Sequence, residues 1–169
     1  MIEKLTLSNK NKILIIGNYG DGNIGDEAIL EVLIKKLNDK GIENIYIPSR
    51  TPQVLSRIHN GKYKALSIVQ LPFIFFRINT IIVGGGGIFS SYTGFFIYFS
   101  TLFTTISFFL NKQIYFYSIG FSKSTPFLLK HLSKLAFYFS NGVYLRDLES
   151  YRNVKNLGIK SSKLNLVKD

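Results

Sequence analysis

The sequence predicts a doubly wound α/β fold with a mostly parallel sheet. Short, continuous apolar runs recur along the chain and end at glycine or a small polar residue, as buried parallel strands do. Stretches with helical apolar spacing separate these runs. The 169 residues suit one domain of ordinary size with a sizeable core.

Lys12-Ile13-Leu14-Ile15-Ile16-Gly17 reads as the first buried strand. A loop from Asn18 to Gly25 leads to a helix that begins at Asp26 or just before it. Its stripe is Ile29, Leu33 and Leu37, widened by Leu30 and Ile34. Asp26 and Glu27 suit the positive end of the helix dipole, Glu31 and Lys35 form an i,i+4 pair, and Gly41 ends the helix. Asn44 to Ile47 is a second strand, stopped by Pro48, and Thr51 to Phe76 holds one or two helices. Thr80-Ile81-Ile82-Val83 is a β-branched strand running into Gly84-Gly85-Gly86-Gly87, and an uncharged helical stretch follows to Leu110. Gln113 to Ser118 is a strand ending at Ile119-Gly120. Thr125 and Pro126, as cap and first-turn proline, start a helix with the stripe Leu128, Leu132, Leu135 and Phe139, closed by Asn141-Gly142. Val143 to Leu145 is a strand ending at Arg146. Asp147 caps a helix carrying Leu148, Tyr151, Val154 and Leu157, closed by Gly158. Lys163 to Val167 is a last extended piece. Five or six strands alternating with helices make one Rossmann-like domain over residues 1–169. The chain stops just after a strand, as the first half of a longer protein would.

Ile88 to Leu110 is 23 residues without a charge, long enough to span a bilayer. Eight Ser/Thr and Gly94 lower its hydrophobicity, and a span there would separate strands that the sheet needs. The reading is a buried or membrane-apposed helix, with Phe95, Phe96, Phe99 and Phe103 as core or interface. The polar start, Met1 to Lys12, is no secretory signal.

Composition excludes several classes. With 46% apolar and 15% aromatic residues the chain is not a disordered tail, and with no cysteine it has neither a disulfide framework nor a cysteine-ligated metal. No metal-ligand spacing and no nucleophile elbow is present, and His59 and His131 read as surface residues. Lys and Arg number 21 against 10 Asp and Glu, a net charge of +11 that attracts anions. No nucleic-acid-binding motif accompanies the charge, so nucleic acid is not expected as a partner.

Ligands of open α/β sheets sit at the carboxyl ends of the strands. Four such places stand out. In Gly17-Asn18-Tyr19-Gly20-Asp21-Gly22-Asn23-Ile24-Gly25-Asp26-Glu27-Ala28, glycines permit close backbone approach, and Asn18, Tyr19 and Asn23 could bond and stack on a sugar. Gly20 to Gly25 also matches G-x-G-x-x-G, but Asp21, Asp26 and Glu27 would crowd a pyrophosphate. The second strand ends at Pro48-Ser49-Arg50, with no acid for a ribose; Arg50 keeps an NADP reading open. Gly84, Gly85, Gly86 and Gly87 form no P-loop, and four consecutive glycines favour close ligand approach over a plain turn. Ser118-Ile119-Gly120-Phe121-Ser122 is a small polar strand end suited to a substrate rim. In Arg146-Asp147-x-Glu149-Ser150 the guanidinium can hold a carboxylate or phosphate bidentately, or pair with a nearby acid, and Asp147 reads as a helix cap.

These four motifs, in this order and spacing, resemble the amino-terminal half of the polysaccharide pyruvyltransferase family over residues 12–169. The resemblance implies a cytoplasmic transferase, at the inner face of the membrane in one version, with the N-terminal domain of a two-domain glycosyltransferase-like fold. Phosphoenolpyruvate would be the donor substrate, with no separate cofactor, and a polysaccharide or lipid-linked sugar the acceptor; the product would be a cyclic pyruvate ketal. The substrate-binding residues would be Asn18, Tyr19, Gly20, Asn23, Gly25, Asp26, Gly84 to Gly87, Ser118, Gly120 and Arg146. The general acid would be a histidine of a second domain absent from this chain, so no catalytic residue is assigned, and this chain alone is expected to bind sugar without catalysing. Two alternatives remain: a non-catalytic sugar-binding half-protein, complemented by a separate second-domain chain or held at a membrane by its Phe-rich helix, and an NADP-binding oxidoreductase domain.

Overall fold

The computed structural model describes residues 11–20, 22–58, 63–85 and 95–167; the side chains at positions 58, 95–97, 99 and 100 are not described. The fold is α/β, doubly wound and Rossmann-like, and every recorded strand pairing is parallel. The chain forms two compact units, Met1–Gly85 and Gly86–Asp169.

The first unit holds β1 (Ile13–Ile16), α1 (Ile24–Asn38), β2 (Ile45–Ser49), α2 (Pro52–Ile58), β3 (Lys64–Ser67), α3 (Leu71–Phe75) and β4 (Thr80–Gly84). Its strands lie in the order β3-β2-β1-β4. All four β1 residues are buried and pair with Thr80–Val83 of β4, which explains the continuous apolar run. Leu30, Leu33, Ile34 and Leu37 bury the predicted face of α1. That helix starts at Ile24, two residues before Asp26, because Asn23 is its cap: Asn23 Oδ1 accepts from the Gly25 amide at 3.1 Å.

Pro48 does not stop β2 but lies inside it, opposite Leu66. The Asn44 carbonyl accepts from Ile13 of β1, and alternate residues of a strand face the same neighbour, so Pro48 faces the β1 side. Recorded pairing with β1 reaches only Tyr46, so the missing N–H breaks no ladder bond. The sequence reading also missed β3. Lys-Ala-Leu-Ser is short, half-exposed and pairs with β2 alone, so it carries no continuous apolar run. With it the described strands number seven, against the five or six expected.

The second unit holds α4 (Phe95–Phe109), β5 (Gln113–Ile119), α5 (Phe127–Phe139), β6 (Gly142–Leu145), α6 (Leu148–Asn156) and β7 (Leu164–Leu166). Its strands run β5-β6-β7. Phe116 of β5 meets Phe137 of α5 edge-on at 4.8 Å, and both rings are fully buried. No helix among the described residues is long and apolar enough to cross a membrane.

Two expectations for α5 fail. The helix begins at Phe127, with Pro126 as its cap residue, because the Thr125 hydroxyl closes a turn onto the Ser122 carbonyl. Its buried face is Leu129, Ser133, Ala136 and Phe137, while Leu128 and Leu135 are exposed. The helix is apolar on several sides, so periodicity alone could not choose, and the small Ser133 and Ala136 let its backbone approach its neighbours. In α6 the buried face is Ser150, Asn153 and Val154, with Leu148 exposed. Gly158, at φ +86°, closes that helix as expected.

Candidate functional site

In the first unit the chain leaves β1 for β2 on one side and returns as β4 on the other. The winding therefore reverses between β1 and β4, and ligands of open α/β sheets bind outside the carboxyl ends of the strands at such a switch point. Gly17 and Gly84 end these two strands, and a Cβ on Gly17 would stand 2.4 Å from the Gly84 carbonyl oxygen. Tyr19 lies against both strand ends. The same Cβ would meet its ring, and a Cβ on Gly85, at φ +104°, would lie 3.4 Å from the Tyr19 hydroxyl and 3.6 Å from Asp26 Oδ1. Tyr19 is only 2% exposed, so its ring locks the two turns together and presents no open face to solvent.

Gly20 adopts φ +90°, and the room a side chain would need is taken by Ser49 Oγ and Thr51 Oγ1. Those hydroxyls donate to the Tyr19 and Gly20 carbonyls at 2.9 and 2.8 Å. The loop after β1 is thus fastened to the end of β2. Ser49 and Thr51 were not among the candidate residues, and the only signal was a pair of small hydroxyls following Pro48. The Gly20 amide donates to Glu27 Oε1 at 2.6 Å. A carboxylate already holds the amide that a dinucleotide pyrophosphate would seek, which counts against the NADP reading. Glu27 also acts on Tyr63, whose hydroxyl donates to the Leu55 carbonyl; burial first, and the Glu27 charge second, push that phenol well above its ordinary value.

Asn23 does two structural tasks, capping α1 and donating through Nδ2 to Asp26 Oδ2 at 3.0 Å. Asp26 is a nearly buried carboxylate in the first turn of α1, where the dipole favours it. Asn18, Asn23 and Gly25 form the exposed rim. The structure therefore joins Tyr19, Gly20, Asn23, Asp26, Gly84 and Gly85 into one network. Gly86 and Gly87 lie outside the described residues.

The second unit gathers the remaining candidates at the carboxyl ends of β5 and β6. Ser118 sits at φ +53°, a conformation uncommon for a residue with a side chain, at a bulge where the β5–β6 register slips. Such backbone is found at ligand sites. Beyond it, Ser118 and Gly120 are buried, and the Arg146 amide donates to the Ile119 carbonyl. Arg146 Nε pairs with Asp147 Oδ2 at 2.8 Å, so the alternative partner weighed for it, a neighbouring acid, is present. That pair is about half exposed, and it engages only one of the five N–H donors of the guanidinium. Asp147 caps α6 as expected, accepting from the Ser150 amide at 2.7 Å. Burial acts to raise its carboxyl, but the Ser150 and Arg146 hydrogen bonds outweigh that and hold it below the ordinary carboxylate range.

Ser150 Oγ accepts from the Phe121 amide, and Asn153 Nδ2 donates to the Phe121 carbonyl, both at 2.9 Å. These two bonds fasten α6 to the chain just past β5. Asn153 was not singled out; its signal is a polar residue three after Ser150 on a buried helix face. His131 is exposed, as expected, and His59 lies outside the described residues.

The model of the polysaccharide pyruvyl transferase family matches residues 23–169. The chain belongs to this family. The match takes in Asn23 to Ala28, the tetraglycine, Ser118-Ile119-Gly120 and the Arg146 motif, and it begins after Gly17 to Gly20. Comparison with curated proteins and with solved structures gives no match. Family membership makes the protein a polysaccharide pyruvyl transferase-like protein with a polysaccharide acceptor class.

Proposed function

We propose that this chain serves pyruvyl transfer from phosphoenolpyruvate to a sugar of a cell-surface polysaccharide or of its lipid-linked precursor. In that reaction two sugar hydroxyl oxygens bond to C2 of the donor. One hydroxyl proton reaches C3, which becomes a methyl group. The bond from C2 to the phosphate oxygen breaks, and phosphate leaves with the second proton. The product is a cyclic ketal. The donor is a cytoplasmic metabolite, and we assign the reaction to that compartment.

The observation that carries this reading is the family match over residues 23–169. At residue level the support is Arg146. Phosphoenolpyruvate carries a carboxylate and a phosphate, and a guanidinium fork suits either. Asp147 accepts from Nε alone, and the Nη donors are the ones assigned to the donor. We assign sugar contacts to the polar rim, Asn18, Asn23 and Gly25, with Tyr19, Gly20, Asp26, Gly84 and Gly85 shaping the ground beneath it. Ser118 and Gly120 are assigned to the donor side with Arg146.

A ligand panel read by saturation-transfer NMR tests the proposal. Phosphoenolpyruvate is expected to show transfer that excess inorganic phosphate competes away, and NADP none. Transfer to NADP with none to phosphoenolpyruvate would overturn it.

A further inference from the structure

We infer that the α4–α5 face of the second unit docks on an anionic lipid bilayer, lying in its interface without crossing it. Leu102, Ile106 and Phe109 share one side of α4 and are all exposed, Phe109 by 70%. On α5, Phe127, Leu128, Leu135 and Tyr138 are exposed by 77%, 60%, 47% and 56%. The two rows are continuous, because Phe139 of α5 stacks on Phe108 at 4.5 Å and meets Phe109 at 5.6 Å. An apolar surface spread over two adjacent helices marks an interaction site, whereas scattered exposed apolar residues do not. This face differs from the Phe-rich side suggested by the sequence, of which only Phe103 is described, and Phe103 is half-buried.

Charge selects the occupant. Around α5, Lys130 and Lys134 lie beyond Phe127 and Tyr138 on the side away from Phe139, so they border the apolar strip. Lys163 reaches the same border, with its ammonium 5.7 Å from the centre of the Tyr138 ring and donating to the Tyr138 and Ser140 carbonyls. Lys123 adds a fourth cation near the start of α5. No Asp or Glu occurs anywhere between Glu43 and Asp147 in the sequence, so no acid from that stretch offsets this border. Aromatic and aliphatic side chains edged by lysines, without acids, are the signature of a surface held in the headgroup region of anionic lipids. No described helix could cross the bilayer, so the mode is peripheral.

Vesicle flotation with the whole chain tests this. Vesicles of phosphatidylcholine with about 30% phosphatidylglycerol are compared with phosphatidylcholine alone. The expected result is flotation with the anionic vesicles, at least about tenfold weaker on neutral ones and reduced by high salt. Leu128→Asp with Leu135→Asp is expected to lower partition at least about tenfold. Lys130→Gln with Lys134→Gln is expected to cost about fivefold per lysine without touching apolar surface. Circular dichroism checks that each variant keeps its helices, and the lysine pair serves if the aspartates unfold the chain. Absence of flotation, or flotation that neither pair alters, would overturn the inference. So would sedimentation showing a lipid-free dimer that the aspartates dissociate, because the face would then belong to a second copy.

Discussion

Single residues decide most of the site's geometry. Gly20 and Gly41 both adopt positive φ, but only Gly20 is crowded, by Ser49 and Thr51, while Gly41 has open space. Gly41→Ala is expected to cost about 1 kcal/mol, from backbone strain alone. Gly20→Ala is expected to cost about 2–3 kcal/mol, since strain and displacement of two hydroxyls combine. Urea midpoints of the two variants check the order, and equal losses would contradict it. Asp147→Ala removes an N-cap and is expected to cost about 1 kcal/mol at neutral pH. The folded carboxyl lies below its unfolded value, so its stabilisation is present above the ordinary carboxylate range and fades as pH falls through the folded value. The stability gap between wild type and variant is therefore expected to close in acid, and a gap that persists there would contradict the assignment. Tyr19 shows where residue reading falls short. An aromatic in a glycine loop suggests a stacking platform, whereas in the fold Gly17 and Gly85 leave room for its ring to bury.

At the scale of elements, continuous apolar runs were legible because parallel strands bury both faces, as in β1 and β4. The edge strand β3 was not, because Lys64 and Ser67 interrupt the pattern and its pairing comes from β2. Helix faces were legible only where polarity marked the outside. The stripe of α1 held except at Ile29, which is half-buried, because charged residues mark its far side. That of α5 did not, since its outward face is itself apolar. Its inward face is anchored by Phe137, fully buried against Phe116 and near Phe121. Phe137→Ala is expected to cost about 3–5 kcal/mol by thermal or urea unfolding, against well under 1 kcal/mol for Leu128→Ala at its exposed position. In α6 the polar buried face was illegible, because Ser150 and Asn153 face inward for hydrogen bonds with Phe121. Asn153→Ala leaves a buried carbonyl without that donor, and a loss of about 1–3 kcal/mol is expected in the same assay.

For the whole molecule, the fold class followed from alternation of runs, and the family from four motifs in register, which the match over residues 23–169 bears out. Charge was legible as +11, but its one-sidedness along α5 gains meaning only when the exposed apolar rows of α4 and α5 are seen beside it. The functional proposal is carried by the family match, and at residue level it turns on one cation, Arg146, meeting an anionic donor. Calorimetric titration of phosphoenolpyruvate into the wild-type chain and into Arg146→Glu tests that most directly, with circular dichroism confirming that the variant is folded. Binding by the wild type, weakened at least about tenfold by the reversal, is the expected result. Undiminished affinity in Arg146→Glu would contradict it.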